Sequence, residues 1–184
     1  MLALGLDTSC YTTSAALCSP GAEPRQARRL LPVPAGERGL RQSEAVFAHV
    51  RQLSEMVESV MKDADEPISC VCASIAPRAD ADSYMPVFQV GETVGRAVAA
   101  ALHVPFYQTS HQQGHVRAAR FGTALTAERF IALHLSGGTT DVLLAEGDGL
   151  TALGTSVDLH AGQLVDRIGV ALGLISGYFG GWVD

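Results

Sequence analysis

Long apolar runs are missing from these 184 residues. Nothing approaches the roughly 20 consecutive apolar residues that a membrane-spanning helix needs. Basic charge is also scarce. Lys and Arg total 13 against 19 Asp and Glu, a formal net charge of −6. That excludes a dominant nonspecific grip on nucleic acid, though not an RNA presented by a partner protein. Cysteine is sparse and wrongly spaced for structural chemistry. Cys10, Cys18, Cys70 and Cys72 form no C-x-x-C and fit neither a zinc ribbon nor a secreted disulfide framework. Free thiols suit a reducing cytosol, and Met1 to Thr8 carries no basic leader, so a signal peptide is not expected and the expected location is cytoplasmic. What is plentiful is apolar content, 47% against 17% charged residues. The chain can therefore fill a sizeable core, as one large domain or one and a half small ones.

The order of elements follows from periodicity. Residues 2–6 read as a strand, 8–11 as a polar turn and 12–17 as a second strand, giving a hairpin. Residues 19–41 are rich in Pro, Gly, Arg and Glu and read as irregular, with one short strand at 30–33. Ser43 reads as an N-cap, and Val46, Phe47, Val50, Leu53, Val57, Val60 and Met61 follow at helical spacing. A buried strand is expected at 68–75, with Cys70 and Cys72 on one side, and a polar loop at 76–86. A small-residue helix at 90–102 can approach a sheet closely. A strand at 104–108 comes next.

The run Thr109-Ser110-His111-Gln112-Gln113-Gly114-His115 is the most informative feature. A helix over 110–120 puts both imidazoles on one face, a turn apart, where two ring nitrogens can grip one transition metal ion. The alternative is a pair of surface histidines on an ordinary helix. The opening pattern then returns: Leu2-Ala3-Leu4-Gly5-Leu6-Asp7-Thr8-Ser9 is echoed by Ile131-Ala132-Leu133-His134-Leu135-Ser136-Gly137-Gly138. Both are followed by Thr-Thr and an apolar strand. Such a repeat predicts two facing lobes with a cleft between the two turns, the second lobe looking incomplete after a helix at 161–172.

Other residues invite chemistry. The first turn, Asp7 to Thr13, offers amides, hydroxyls and a carboxylate to phosphate or magnesium, with Thr8 and Ser9 foremost; it also reads as an ordinary hairpin turn. Gly137 and Gly138, after Ser136, permit φ > 0 and close approach of amides to a ligand, or a simple tight turn. Asp166, inside a helical pattern, can accept hydrogen bonds from a ribose, or lie on a solvated face beside Arg167. His49, His103, His134 and His160 stand alone, and no catalytic residue is assigned.

In order, these segments resemble the tRNA threonylcarbamoyladenosine synthases, or glycoprotease-like proteins. That family opens with a strand and E/D-T-S-C-D-[DE]-T, matched here by Asp7-Thr8-Ser9-Cys10-Tyr11-Thr12-Thr13. Its H-M-E-G-H helix is matched by His111 to His115, and its V-S-G-G-H-T loop by Leu135 to Thr140. Its D-D-A-A-G-E-A-F-D-K segment is matched by Asp158 to Arg167, and its Y-P-G-G by Tyr178-Phe179-Gly180-Gly181. Tyr11, Thr139 and Gln163 depart from the pattern, and residues 77–86 replace a shorter G-P-G-L loop.

The resemblance implies an α/β protein with the lobes of actin, Hsp70 and sugar kinases (ribonuclease H-like), the second incomplete. Residues 1–125 would form the first lobe with the metal helix, and 126–184 the start of the second. It implies transfer of a threonylcarbamoyl group from threonylcarbamoyl-adenylate to an anticodon-loop adenosine of tRNA. It further implies one divalent metal, iron or zinc, on His111 and His115. Threonylcarbamoyl-adenylate or an adenine nucleotide would lie on Ser136, Gly137, Gly138, Asp166 and Gly181. Partners would be tRNA, reached through a complex, and a paralogous actin-like protein, with no membrane. The family continues beyond this chain, where it supplies a further metal-binding aspartate and a nucleotide-binding asparagine, so the chain alone is expected not to modify tRNA.

Three rival readings are a divergent non-catalytic paralogue serving as a nucleotide-binding or scaffold partner, a protease, and a sugar-kinase-like phosphotransferase. H-x-x-x-H lacks the glutamate of H-E-x-x-H, no serine or cysteine constellation supports proteolysis, and no sugar site is visible.

Overall fold

Alternation of Leu4 and Leu6 with Gly5 and Asp7 makes β1 (Leu2–Asp7) a strand with one deeply buried face. The computed structural model describes residues 1–33, 40–62, 64–80 and 82–173. It falls into two units, Met1–Pro32 with Gln42–His111, and Val33–Arg41 with Gln112–Asp184.

In the first unit, β1 pairs antiparallel with β2 (Thr12–Cys18), which pairs with β3 (Arg25–Leu30). Helix α1 (Gln42–Met61) leads to β4 (Ile68–Ala76), parallel to β1. Helix α2 (Phe88–Leu102) leads to β5 (Phe106–Ser110), parallel to β4. The sheet order is β3-β2-β1-β4-β5. Leu4, Leu6, Ala15, Leu17, Val71 and Ala73 pack with Leu53, Met56 and Val60 of α1 and with Val90 and Ala99 of α2. On α1 the buried positions Ala45, His49, Leu53, Met56 and Val60 recur every three or four residues, as a helix with one core face requires. On α2 the stripe Gly91, Gly95, Ala99 is buried. A Cβ on Gly95 would lie 2.8 Å from Phe106 Cε2, so the small-residue helix does seat against the strands.

Helix α1 already starts at Gln42, so Ser43 lies inside it and is not its N-cap, and α2 starts at Phe88 ahead of the expected 90. Two strands also differ from the sequence reading. The strand expected at 30–33 lies at Arg25–Leu30 instead. Its ladder with β2 ends at Thr12↔Leu30, Leu31 N donates to Tyr11 O, and Pro32 has no N–H with which to continue. The strand expected at 104–108 begins at Phe106. Val104 N is used to close α2 on Ala99 O after His103, which sits at φ 55°.

The second unit holds α3 from Gln112 onward (the helix is His111–Arg120), then β6 (Arg129–Leu135), β7 (Thr140–Glu146), β8 (Gly149–Thr155) and α4 (Ala161–Ala171). All neighbours in the sheet β6-β7-β8 are antiparallel. β8 was not expected from sequence; a turn at Gly147, φ 55°, folds it onto β7. With it, the repeat becomes visible as structure. Hairpin, third strand and helix occur as β1-β2-β3-α1 and again as β6-β7-β8-α4. On β7 the inward positions are Asp141, Leu143 and Ala145. Among the described residues, no helix is long and apolar enough to cross a membrane.

Candidate functional site

The first unit gathers its polar groups where β1 ends. Asp7 accepts a hydrogen bond from Ser9 N at 2.9 Å on Oδ1, which shapes the turn, and one from His111 Nδ1 at 3.0 Å on Oδ2. Burial alone would raise the Asp7 pKa. The hydrogen bond and charge of His111, with the Ser74 and Ser9 bonds, outweigh it and bring the value down to about 2. Asp7 is therefore a carboxylate at neutral pH, and His111 is held at its Nδ1. The Thr8 hydroxyl is fully buried: it donates to Val87 O at 2.8 Å and accepts from Gly91 N at 3.1 Å, fastening the turn to the start of α2. Ser9 is also buried.

Beneath this turn lies His49 of α1, with no exposed surface. The Thr13 hydroxyl lies 2.8 Å from His49 Nδ1 and 3.0 Å from Gln52 Oε1, tying β2 to α1. The His49 Nε2 is buried as well. Burial lowers the His49 pKa to about 4, against smaller opposing effects of the Cys10 backbone and the Asp7 charge. Cys10 itself sits at φ 44°. Burial pushes its thiol up to about 11, and the Asp7 charge adds to this, so at neutral pH it is no nucleophile.

In the second unit, Ser136 organises the S-G-G turn. Its Oγ accepts from Thr139 N at 2.9 Å and Gly138 N at 3.3 Å, and its N donates to Thr139 O at 2.8 Å. Neither Gly137 nor Gly138 takes a positive φ, contrary to the expected reason for two glycines. The turn matters through a close approach instead. Gly162 N donates to Ser136 O at 3.1 Å, and Ala161 N donates to Thr140 Oγ1 at 2.7 Å. A Cβ on Gly162 would stand 2.6 Å from Gly137 N and from Ser136 O. Backbone thus meets backbone where α4 starts, and Asp166 lies one turn further along the Gly162 face. Tyr178, Phe179, Gly180 and Gly181 lie outside the described residues.

His115 lies one helical turn after His111 on α3, its ring centroid 5.5 Å from that of His134. Among the described residues, no group of three or more His, Cys, Asp or Glu side chains is gathered for a metal ion. The donor chemistry still suits one. A carboxylate on Nδ1 is the usual means of orienting a ligating imidazole, and Asp7 supplies it to His111. Two imidazoles at this spacing fit part of a coordination shell.

Three residues in this region escaped the sequence reading as functional candidates. Asp141 and Gln112 are buried and bonded to each other, Gln112 Nε2 donating to Asp141 Oδ2 at 2.8 Å. His134 Nδ1 lies 3.1 Å from Thr139 Oγ1. The available signal was phase: Asp141 falls in step with Leu143 and Ala145, the inward positions of β7.

Residues 35–181 match the model of the family described as tRNA N6-adenosine threonylcarbamoyltransferase. A protein of that name from Sphingopyxis alaskensis is 35% identical over 184 residues, covering 98% of this chain and 52% of the relative. One from Synechococcus sp. (strain WH7803) is 30% identical over 180 residues, covering 93% and 49%. The chain thus spans about half the length of these curated relatives. Among solved structures, the ethanolamine utilization protein EutJ from Carboxydothermus hydrogenoformans matches with TM-score 0.56 at 15% identity, over 95% of this chain and 58% of that one. A ROK family glucokinase from Streptomyces griseus matches with TM-score 0.51 at 14% identity, over 88% and 50%. These likenesses establish the fold, that of actin, Hsp70 and the sugar kinases, as expected from sequence. On the family model and the relatives together, the chain belongs to the tRNA N6-adenosine threonylcarbamoyltransferase family.

Proposed function

We propose that this chain supplies the adenylate-binding part of a transferase that moves a threonylcarbamoyl group from threonylcarbamoyl-adenylate to the N6 amine of an anticodon-loop adenosine in tRNA. The observation that carries this reading is the backbone-to-backbone approach of Gly162 to Ser136 and Gly137. It brings a glycine turn and a helix bearing Asp166 together with no side chain between them. In this reading Gly137 and Gly138 meet the adenylate phosphate through their backbone, and Asp166 accepts from the ribose hydroxyls. Gly181 belongs to the same proposed set.

His111 and His115 would hold one divalent ion, iron or zinc, His111 through Nε2 because Asp7 engages Nδ1. Such an ion, when bound, supplies Lewis-acid polarisation of the acyl-adenylate. In the transfer, a bond forms between the adenosine N6 and the carbamoyl carbon. The bond from that carbon to the adenylate oxygen breaks, AMP leaves and the amine proton passes to solvent. A net charge of −6 leaves tRNA capture to partner proteins, among them a paralogous actin-like protein, in the cytoplasm.

Membership of the family supports the acyl donor and acceptor classes; nothing in the geometry favours the non-catalytic paralogue. Isothermal titration of the full-length protein with AMP tests the site. The expected result is saturable binding that Asp166→Ala weakens by about tenfold, the scale of one lost hydrogen bond to a charged group. Unchanged affinity in that variant would remove Asp166 from the site.

A further inference from the structure

Asp141 is 1% exposed, yet each of its oxygens has a donor: Gln112 Nε2 at 2.8 Å on Oδ2 and Thr155 Oγ1 at 2.6 Å on Oδ1. Among the described residues, no Lys or Arg pairs with it. A carboxylate withdrawn from water without a cation is costly, whereas an apolar residue in phase with Leu143 and Ala145 would pack there without that cost. Its presence therefore points to a task other than stability.

The partners define the task. Gln112, itself 5% exposed, lies on α3 between His111 and His115. Its amide nitrogen carries two hydrogens. One goes to Asp141; the same nitrogen lies 3.4 Å from His134 Nδ1. His134 is the cross-strand partner of Asp141 and lies 3.1 Å from Thr139 Oγ1, which in turn lies 3.0 Å from Ser136 Oγ. A series of polar contacts thus runs from α3 through Gln112, with Asp141 fixing its amide, to His134 Nδ1, Thr139 and the Ser136 turn. Two of its members, Gln112 and Thr139, stand where the resembling motifs carry Met and His. Gln112 brings an amide where that motif has an apolar side chain, and Thr139 keeps a polar group beside His134.

We propose that Asp141 is a positioning residue that acts through Gln112 and His134 to hold the Ser136–Thr139 turn in a fixed place against α3. Its use in nucleotide binding rests on the function proposed above; the hydrogen-bonded link itself does not. Asp141 also holds Thr155 of β8, so the carboxylate ties three elements at one point.

The test is a cycle of variants in the full-length protein, read by hydrogen exchange of the amides at 136–140 and by titration with AMP. Gln112→Glu sets two carboxylates against each other, and Gln112→Met leaves Asp141 without its amide donor. Each is expected to speed exchange at the turn and to weaken AMP binding, both by about tenfold. The swapped pair Gln112→Glu with Asp141→Asn restores a donor facing an acceptor, and is expected to return both readings to within about threefold of wild type. Turn amides that exchange at the wild-type rate in folded Gln112→Met, or a swapped pair no better than Gln112→Glu alone, would overturn the proposal. Exchange that behaves as expected in a wild-type protein that binds no AMP would support the link and overturn the nucleotide reading instead.

Discussion

Gly162 and Ser136 touch through their backbones, N to O at 3.1 Å, at a distance that leaves no room for a side chain on Gly162. A methyl group there would lie 2.6 Å from the Ser136 carbonyl, and backbone cannot swing aside as a side-chain end can. Gly162→Ala is therefore expected to force α4 off the turn. The strain should cost about 1–3 kcal/mol despite the better helix propensity of Ala. AMP affinity should fall at least about tenfold, since the turn and Asp166 would separate. Denaturant melts and titration of the variant check both numbers; an unchanged AMP affinity would mean that the approach does not serve a ligand.

A second close approach makes a purely structural forecast. Gly95 of α2 faces Phe106 Cε2 at 2.8 Å, with Ala73 Cβ and Leu6 Cδ1 each at 3.5 Å from the position a Cβ would take. Gly95→Ala should destabilise the first unit by about 1–2 kcal/mol, overpacking outweighing the gain in helix propensity. Urea unfolding measures this, and a stabilised variant would show that α2 can lift from the sheet without loss.

His49 should make stability depend on pH. Unfolded, its imidazole takes a proton near the ordinary histidine value of 6.5; folded, burial holds the pKa to about 4. Between those values the unfolded chain binds more protons, so stability is complete above pH 6.5 and falls as the pH drops toward 4. The difference corresponds to roughly 3 kcal/mol at most. Urea melts at pH 7, 5.5 and 4.5 should follow this slope in the wild-type protein and lose most of it in His49→Gln. Equal slopes in the two proteins would place the titrating group elsewhere.

How much of this was legible in the sequence depends on whether local pattern or distant partners set the structure. The two hairpins and α1 could be read because Leu4, Leu6, Leu17, Leu53 and Val60 keep the period of their element. The histidine helix was read from the four-residue spacing of His111 and His115 instead, for the one residue of α3 that is buried is Gln112. β8 was not: Gly149, Thr151 and Gly154 give a weak strand signal, and the strand exists because β7 offers an edge to pair with. The glycine pair at 137–138 pointed to the turn, but neither glycine takes a positive φ, and sequence cannot show that Gly162, far along the chain, approaches it. Asp141 and Gln112 were hidden similarly. Each looks like a surface residue alone, and only their mutual hydrogen bond explains why both are buried.

The central claim is that the histidine helix and the S-G-G turn serve threonylcarbamoyl transfer. The most direct measurement supplies the full-length protein with threonylcarbamoyl-adenylate, a divalent metal, unmodified tRNA and its partner proteins, and quantifies the modified adenosine by mass spectrometry. The account predicts modification by the wild-type protein and a loss of about 100-fold or more when His111 and His115 are both replaced by Ala, since the acyl-adenylate would lose its electrophilic anchor. Modification at the wild-type rate by the double variant, or none by the wild-type protein, would contradict it.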